Sequence, residues 1–158
     1  MEVRVCAVVP VLNEERYIER CIDSLLAQTM TIDVMVMDGG SEDKTLELLS
    51  KYGDKIKVIP NPGKRVAQAR NLALEHLGSE ITHCLEIIGH SWIDSDHVEK
   101  LVNELKVIEL DTGVNIGALG CRTESGDSTD TIFSMGGRSA LNTYRFWWRA
   151  IPKIQRKG

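Results

Sequence analysis

The sequence predicts an α/β fold, an open and mostly parallel sheet with helices on both faces, and three observations carry that expectation. Short valine-rich apolar runs alternate with segments of helical periodicity in the order β-α-β-α-β-α-β-α. Each apolar run ends in a cluster of Gly, Pro, Asn or Asp, the residues that turn a chain. The 158 residues, 42% hydrophobic and 27% charged, suffice for one compact domain with its own core and exclude disordered, collagen-like and coiled-coil chains.

Residues 3–11 form a continuous run bounded by Pro10 and Asn13, which suits a strand buried on both faces. Asn13 then reads as a helix N-cap with Glu14 and Glu15 in the first turn, and Ile18, Cys21, Ile22, Leu25 and Leu26 define the apolar face. A second strand, 32–37, runs into Asp38-Gly39-Gly40-Ser41. Ser41 is expected to cap a helix with Glu42 and Asp43 in its first turn and Leu46 and Leu49 inward. Residues 55–59 make a short third strand, closed by the turn Pro60-Asn61-Pro62-Gly63, and a third helix over 66–77 stops at Gly78. Residues 81–88 form the fourth strand. A loop through Asp94 leads to a helix from Asp96 with Val98, Leu101, Val102, Leu105 and Ile108 inward. Beyond residue 111 glycines break up the pattern, and one more strand is expected around 117–122. The partition is a domain over 1–130 and an aromatic, basic tail over 131–158, with an amphipathic helix or helix pair expected over 140–157.

Cys6, Cys21, Cys84 and Cys121 include no Cys-x-x-Cys pair, so buried reduced thiols are expected rather than a zinc site or disulfide framework. No apolar run is long enough to span a bilayer and the N-terminus lacks a secretory pattern, which places the chain on the cytoplasmic side. The formal charge of −4 hides an asymmetry: residues 1–130 carry 13 Lys+Arg against 23 Asp+Glu, or −10, whereas the last 28 carry six basic groups and no acid, or +6. An acidic body excludes nucleic acid as a partner held by the field of the domain.

Ligands of such sheets bind beyond the carboxyl ends of the strands. Three of those ends carry a resemblance. The stretch Val8-Val9-Pro10-Val11-Leu12-Asn13-Glu14-Glu15, the stretch Val36-Met37-Asp38-Gly39-Gly40-Ser41-Glu42-Asp43-Lys44-Thr45, and Ala69-Arg70-Asn71 together resemble the nucleotide-sugar-binding half of a family 2 glycosyltransferase of the GT-A fold. The resemblance covers residues 3–110 and is nearest to the transferases that build membrane-associated polysaccharides such as succinoglycan. It implies an inverting transfer of a hexose from a nucleotide-sugar to a lipid- or glycan-linked acceptor. The alternative is a shortened, non-catalytic nucleotide-sugar-binding or interaction module.

By the resemblance, the nucleotide-sugar site comprises Pro10, Asn13, Glu14, Asp38, Gly39, Gly40, Lys64, Arg65 and Arg70. The Asp38 carboxylate can accept from a base N–H or a ribose hydroxyl, although a turn-forming Asp bonded to its own backbone explains it too. Gly39 and Gly40 let backbone approach a ligand. Asn13 and Glu14 serve either the nucleoside or a helix start; Lys64, Arg65 and Arg70 bring cationic charge for a diphosphate, although solvated surface charge explains Lys64 and Arg65 too.

The fourth loop departs from the family. Where relatives carry Asp-x-Asp or Asp-Ala-His to hold Mg²⁺ or Mn²⁺, this chain has Ile88-Gly89-His90. His90 is the one metal-ligand candidate left there, and a divalent cation is expected to be held weakly, since a hard cation wants several oxygens. Asp94-Ser95-Asp96 is a literal Asp-x-Asp, but it reads as the start of the following helix. Beyond residue 113 the acids are Glu124, Asp127 and Asp130. None stands in the family's Glu-Asp pattern, so no catalytic base is nominated. In the tail, Tyr144, Phe146, Trp147 and Trp148 interleave with Arg145, Arg149, Lys153, Arg156 and Lys157, a mixture that suits an anionic membrane surface or a second subunit. The expected location is therefore cytoplasmic, peripheral at the inner membrane face.

Overall fold

The computed structural model describes residues 2–113, 118–121 and 145–149. Its six strands are β1 (Val5–Val11), β2 (Asp33–Asp38), β3 (Lys57–Pro60), β4 (His83–Glu86), β5 (Ala118–Cys121) and β6 (Arg145–Arg149). They lie in the order β3-β2-β1-β4-β6-β5. The first four run parallel, while β6 is antiparallel to both β4 and β5. The helices are α1 (Ile18–Leu26), α2 (Thr45–Ser50), α3 (Val66–His76) and α4 (His97–Thr112).

Every residue of β1 is buried, as a central strand covered on both faces requires. Its alternate residues feed two cores. Val5, Ala7, Val9 and Val11 pack with Ile18, Cys21, Ile22 and Leu25 of α1, Leu49 of α2, and Val98, Leu101 and Val102 of α4. Cys6 and Val8 face the other way, against Met35, Met37, Ile59 and Ala69 and Ala73 of α3. Alanine on α3 brings that helix close to the sheet. Cys6, Cys21 and Cys84 are buried free thiols, and burial pushes Cys6 up to about 12 and Cys84 to about 11, out of the reactive range. At the other margin, β3 is an edge strand with only Ile59 buried.

Several expectations are corrected. Helix α1 begins at Ile18, with Tyr17 at its N-cap and no side-chain cap, because Asn13 has been drawn away to another loop. Helix α2 begins at Thr45 rather than just after Ser41, for the same reason. Leu46 and Leu26, expected inward, are exposed at 43% and 36%, since a six-residue α2 buries only a narrow stripe and Leu26 ends α1. Asp96 does stand at the N-cap of α4, but its side chain caps nothing and pairs instead with Lys100 at 2.7 Å. Within the expected tail helix, Arg145–Arg149 form β6. Phe and Trp are strong strand formers, and β4 offers its open edge in register, with Cys84 opposite Trp148 and Leu85 opposite Trp147. The rest of 140–157 lies outside the described residues. Among the described residues no helix is long and apolar enough to cross a membrane.

Candidate functional site

The carboxyl ends of β1, β2 and β3 are stitched together by backbone groups and short polar side chains. In register, Val11 stands beside Asp38 and Asp38 beside Pro60. Asn13 adopts a left-handed φ of 57°, a conformation that Asn tolerates better than most residues. There its N–H donates to Ser41 Oγ at 3.0 Å and its Oδ1 accepts from Glu42 N–H at 2.8 Å. Glu14 N–H donates to Thr45 Oγ1 at 2.8 Å, and Glu15 N–H to Asp43 Oδ2 at 3.0 Å. Loop 1, residues 12–17 between β1 and α1, thus satisfies the start of α2 from 28 residues away, which no reading of local spacing finds.

Asp38 is 6% exposed. Its carboxylate accepts from Gly40 N–H at 2.9 Å, from Ser41 N–H at 3.2 Å and from Ser41 Oγ at 2.6 Å. The turn-forming role is therefore present in full, and Asp38 shapes the loop more than it projects from it. Gly40 takes φ 86° inside that turn, where a side chain would be strained. Gly39 is buried, and a Cβ there would stand 3.3 Å from the Val11 carbonyl oxygen. The third loop joins through Asn61, 3% exposed, whose N–H donates to the Asp38 carbonyl at 2.6 Å and whose Nδ2 donates to the Arg65 carbonyl. The Lys64 Cε lies 3.8 Å from where a Cβ of Gly40 would be. Exposed Lys64 thereby borders the Asp38–Gly40 turn, with exposed Arg65 next to it in the chain.

Arg70 and Glu86 form a two-pronged pair, with Nε to Oε2 and Nη2 to Oε1, both at 2.6 Å. Glu86 is 8% exposed, and its hydrogen bonds raise the Arg70 pKa. The charge of Arg70 is compensated inside the protein, so Lys64 and Arg65 carry the cationic character of this edge. The one acid of a buried strand, Glu86 beside Cys84 and Leu85, was the sequence signal for such a pair.

Loop 4, residues 87–96 between β4 and α4, meets loop 1 through His90, whose Nδ1–H donates to Glu14 Oε1 at 2.8 Å. That hydrogen bond raises the imidazole pKa above its ordinary 6.5. The approach depends on Gly89, where a Cβ would lie 2.9 Å from both Glu14 Cγ and Val11 Cγ1. Gly89→Ala should cost about 1–3 kcal/mol through overpacking, measured by urea unfolding; an unchanged midpoint would show that the two loops yield freely.

The donor set for a divalent cation fits poorly. Ile88 offers no side-chain ligand, both Glu86 oxygens bond to Arg70, and His90, oriented at Nδ1 by Glu14, is a single nitrogen donor where a hard cation wants several oxygens. Among the described residues no three His, Cys, Asp or Glu side chains are grouped to hold a metal.

A family model described as glycosyl transferase family 2 matches residues 6–150. The chain belongs to that family. It is 29% identical over 119 residues to the glycosyltransferase GlyA of Streptococcus pneumoniae serotype 4, a match covering 72% of this chain and 16% of that protein. It is 30% identical over 112 residues to the succinoglycan biosynthesis protein ExoA of Rhizobium meliloti, covering 68% and 34%. This family 2 chain therefore spans a sixth to a third of the length of these curated relatives. Its sheet is similar to that of S. aureus TarS 1-349 in complex with UDP, at a TM-score of 0.56 and 27% identity over 66% of this chain and 32% of that one. Likeness to the mannosyltransferase PcManGT of Pyrobaculum calidifontis, in complex with GDP-Man and Mn²⁺, has a TM-score of 0.59 at 22% identity over 77% and 36%, and shows the shared GT-A fold. The expected family and fold class stand.

Proposed function

We propose that this chain is the donor-binding half of a family 2 transferase that moves a hexose from a nucleoside-diphosphate sugar to a lipid- or glycan-linked hydroxyl with inversion. The observation that carries this reading is the convergence of three strand-end loops, sewn together through Ser41, Asp43, Thr45 and Asn61, in a chain of this family. In an inverting transfer the acceptor oxygen bonds to the anomeric carbon as the bond to the diphosphate breaks, the hydroxyl proton passes to a base, and the nucleoside diphosphate leaves. The nucleoside would lie against Pro10, Asn13, Asp38, Gly39 and Gly40. Lys64 and Arg65 would face the diphosphate, with Arg70 holding Glu86 beside them. An anionic membrane surface or a second copy is the proposed neighbour of the basic tail, at the cytoplasmic face.

The poor cation donor set supports a second reading, that of a nucleotide-sugar-binding module without transfer activity. Titration calorimetry with UDP, GDP and their sugar conjugates tests binding, and sugar transfer to a lipid-linked acceptor separates the two readings. No binding of any of these ligands would sink both.

Ile88 sets a further expectation. Nucleotide affinity should change less than about threefold, under 1 kcal/mol, between EDTA and millimolar Mn²⁺. Ile88→Asp should introduce a Mn²⁺ dependence. A wild-type protein that binds only with Mn²⁺ would mean that other acids reach the cation.

A further inference from the structure

The strand order β3-β2-β1-β4 reverses direction at β1, and the crevice between the loops after β1 and β4 is where open α/β sheets admit ligands. One side-chain pair spans it. Glu14 of loop 1 accepts from His90 of loop 4 at 2.8 Å, with the side chains 18% and 33% exposed. Glu14 is also fixed from behind. Its N–H donates to Thr45 Oγ1, and its carbonyl accepts from Tyr17 and Ile18 N–H at 3.0 and 2.9 Å, the start of α1. On the far side Gly89 brings loop 4 against Glu14 and Val11 with no room for a side chain. The Glu14 backbone is thus held by the starts of α1 and α2, and its carboxylate bonds to the imidazole of loop 4.

We propose that Glu14 is a positioning residue, which sets loop 4 across the donor crevice through His90 and acts on nucleotide binding only by way of that pair. The inference rests on the donor-site reading above and deepens it: Glu14 supplies loop geometry, where a nucleoside contact would supply direct binding.

A double-mutant cycle separates the two roles. The 158-residue protein and its Glu14→Ala, His90→Ala, Glu14→Gln and doubly substituted Glu14→Ala/His90→Ala forms are titrated calorimetrically with UDP and GDP, with urea unfolding of each in parallel. Each single alanine variant should weaken binding about tenfold, and the double variant no more than either. Glu14→Gln, whose amide oxygen still accepts from His90, should recover part of the loss. Losses that multiply to about a hundredfold, alanine variants that bind like wild type, or a Gln variant no better than Ala would each overturn the inference. Wild-type protein that binds neither nucleotide would overturn the donor-site reading and this inference with it, whereas tight wild-type binding with multiplying losses removes the inference alone.

Discussion

Asp38→Ala should destabilise the protein by about 2–4 kcal/mol, because one truncation strips the acceptor from three donors at once. Gly40 N–H, Ser41 N–H and the Ser41 hydroxyl all bond to that carboxylate. A buried hydrogen bond contributes about 1 kcal/mol net and an orphaned partner costs about 1–3 kcal/mol. Water entering the opened turn rescues part of this, which sets the range. The loss spreads to loop 1, since the Ser41 hydroxyl also accepts from Asn13 N–H. Asp38→Asn keeps one acceptor oxygen and should cost roughly half as much. Urea denaturation reads both. Under native conditions the alanine variant should also bind nucleoside diphosphate about 1–3 kcal/mol more weakly, as Gly39 and Gly40 lose their placement. Undiminished affinity in a folded Asp38→Ala protein would remove the turn from the donor site.

Arg70→Met should cost about 2–4 kcal/mol. Removing the guanidinium leaves Glu86 charged in β4 with its side chain only 10% exposed, and an uncompensated buried charge typically costs about 3–5 kcal/mol. The Arg70 side chain is 39% exposed, so solvent already screens part of the pair and the expected cost is shifted below that range. The double variant Arg70→Met/Glu86→Leu should recover most of the loss, because a well-packed apolar pair replaces an ion pair at little net cost. A double variant as unstable as the single one would mean that the pair holds α3 in place through geometry, not charge balance.

The parallel sheet was legible because burial on both faces leaves no room for alternation: β1 reads as an unbroken apolar run and is buried throughout. Helical periodicity likewise placed Ile18, Cys21, Ile22 and Leu25 inward, and all four are buried. The starts of α3 and α4 were legible, those of α1 and α2 were not. Asn13 and Ser41 are good capping residues by type, but their side chains serve each other's loops, and a partner 28 residues distant leaves no trace in local spacing. The aromatic stretch at 145–149 fits a helix or a strand equally on its own, and its pairing with β4 decides the matter. At the site, glycines and the isolated Glu86 were visible as types. Which cation would neutralise Glu86 was visible only in space.

The outer strand β3 bears on how this molecule meets others of its kind. An unpaired strand edge is a template on which a second chain can add, and stacking of that sort leads to aggregation. Here the margin is four residues long, opens with the exposed ammonium side chain of Lys57 and closes with exposed Pro60, which has no N–H to donate. Proline and lysine at a short border are devices that discourage such addition. Among the described residues, growth of the sheet into a continuous assembly is therefore disfavoured on that flank.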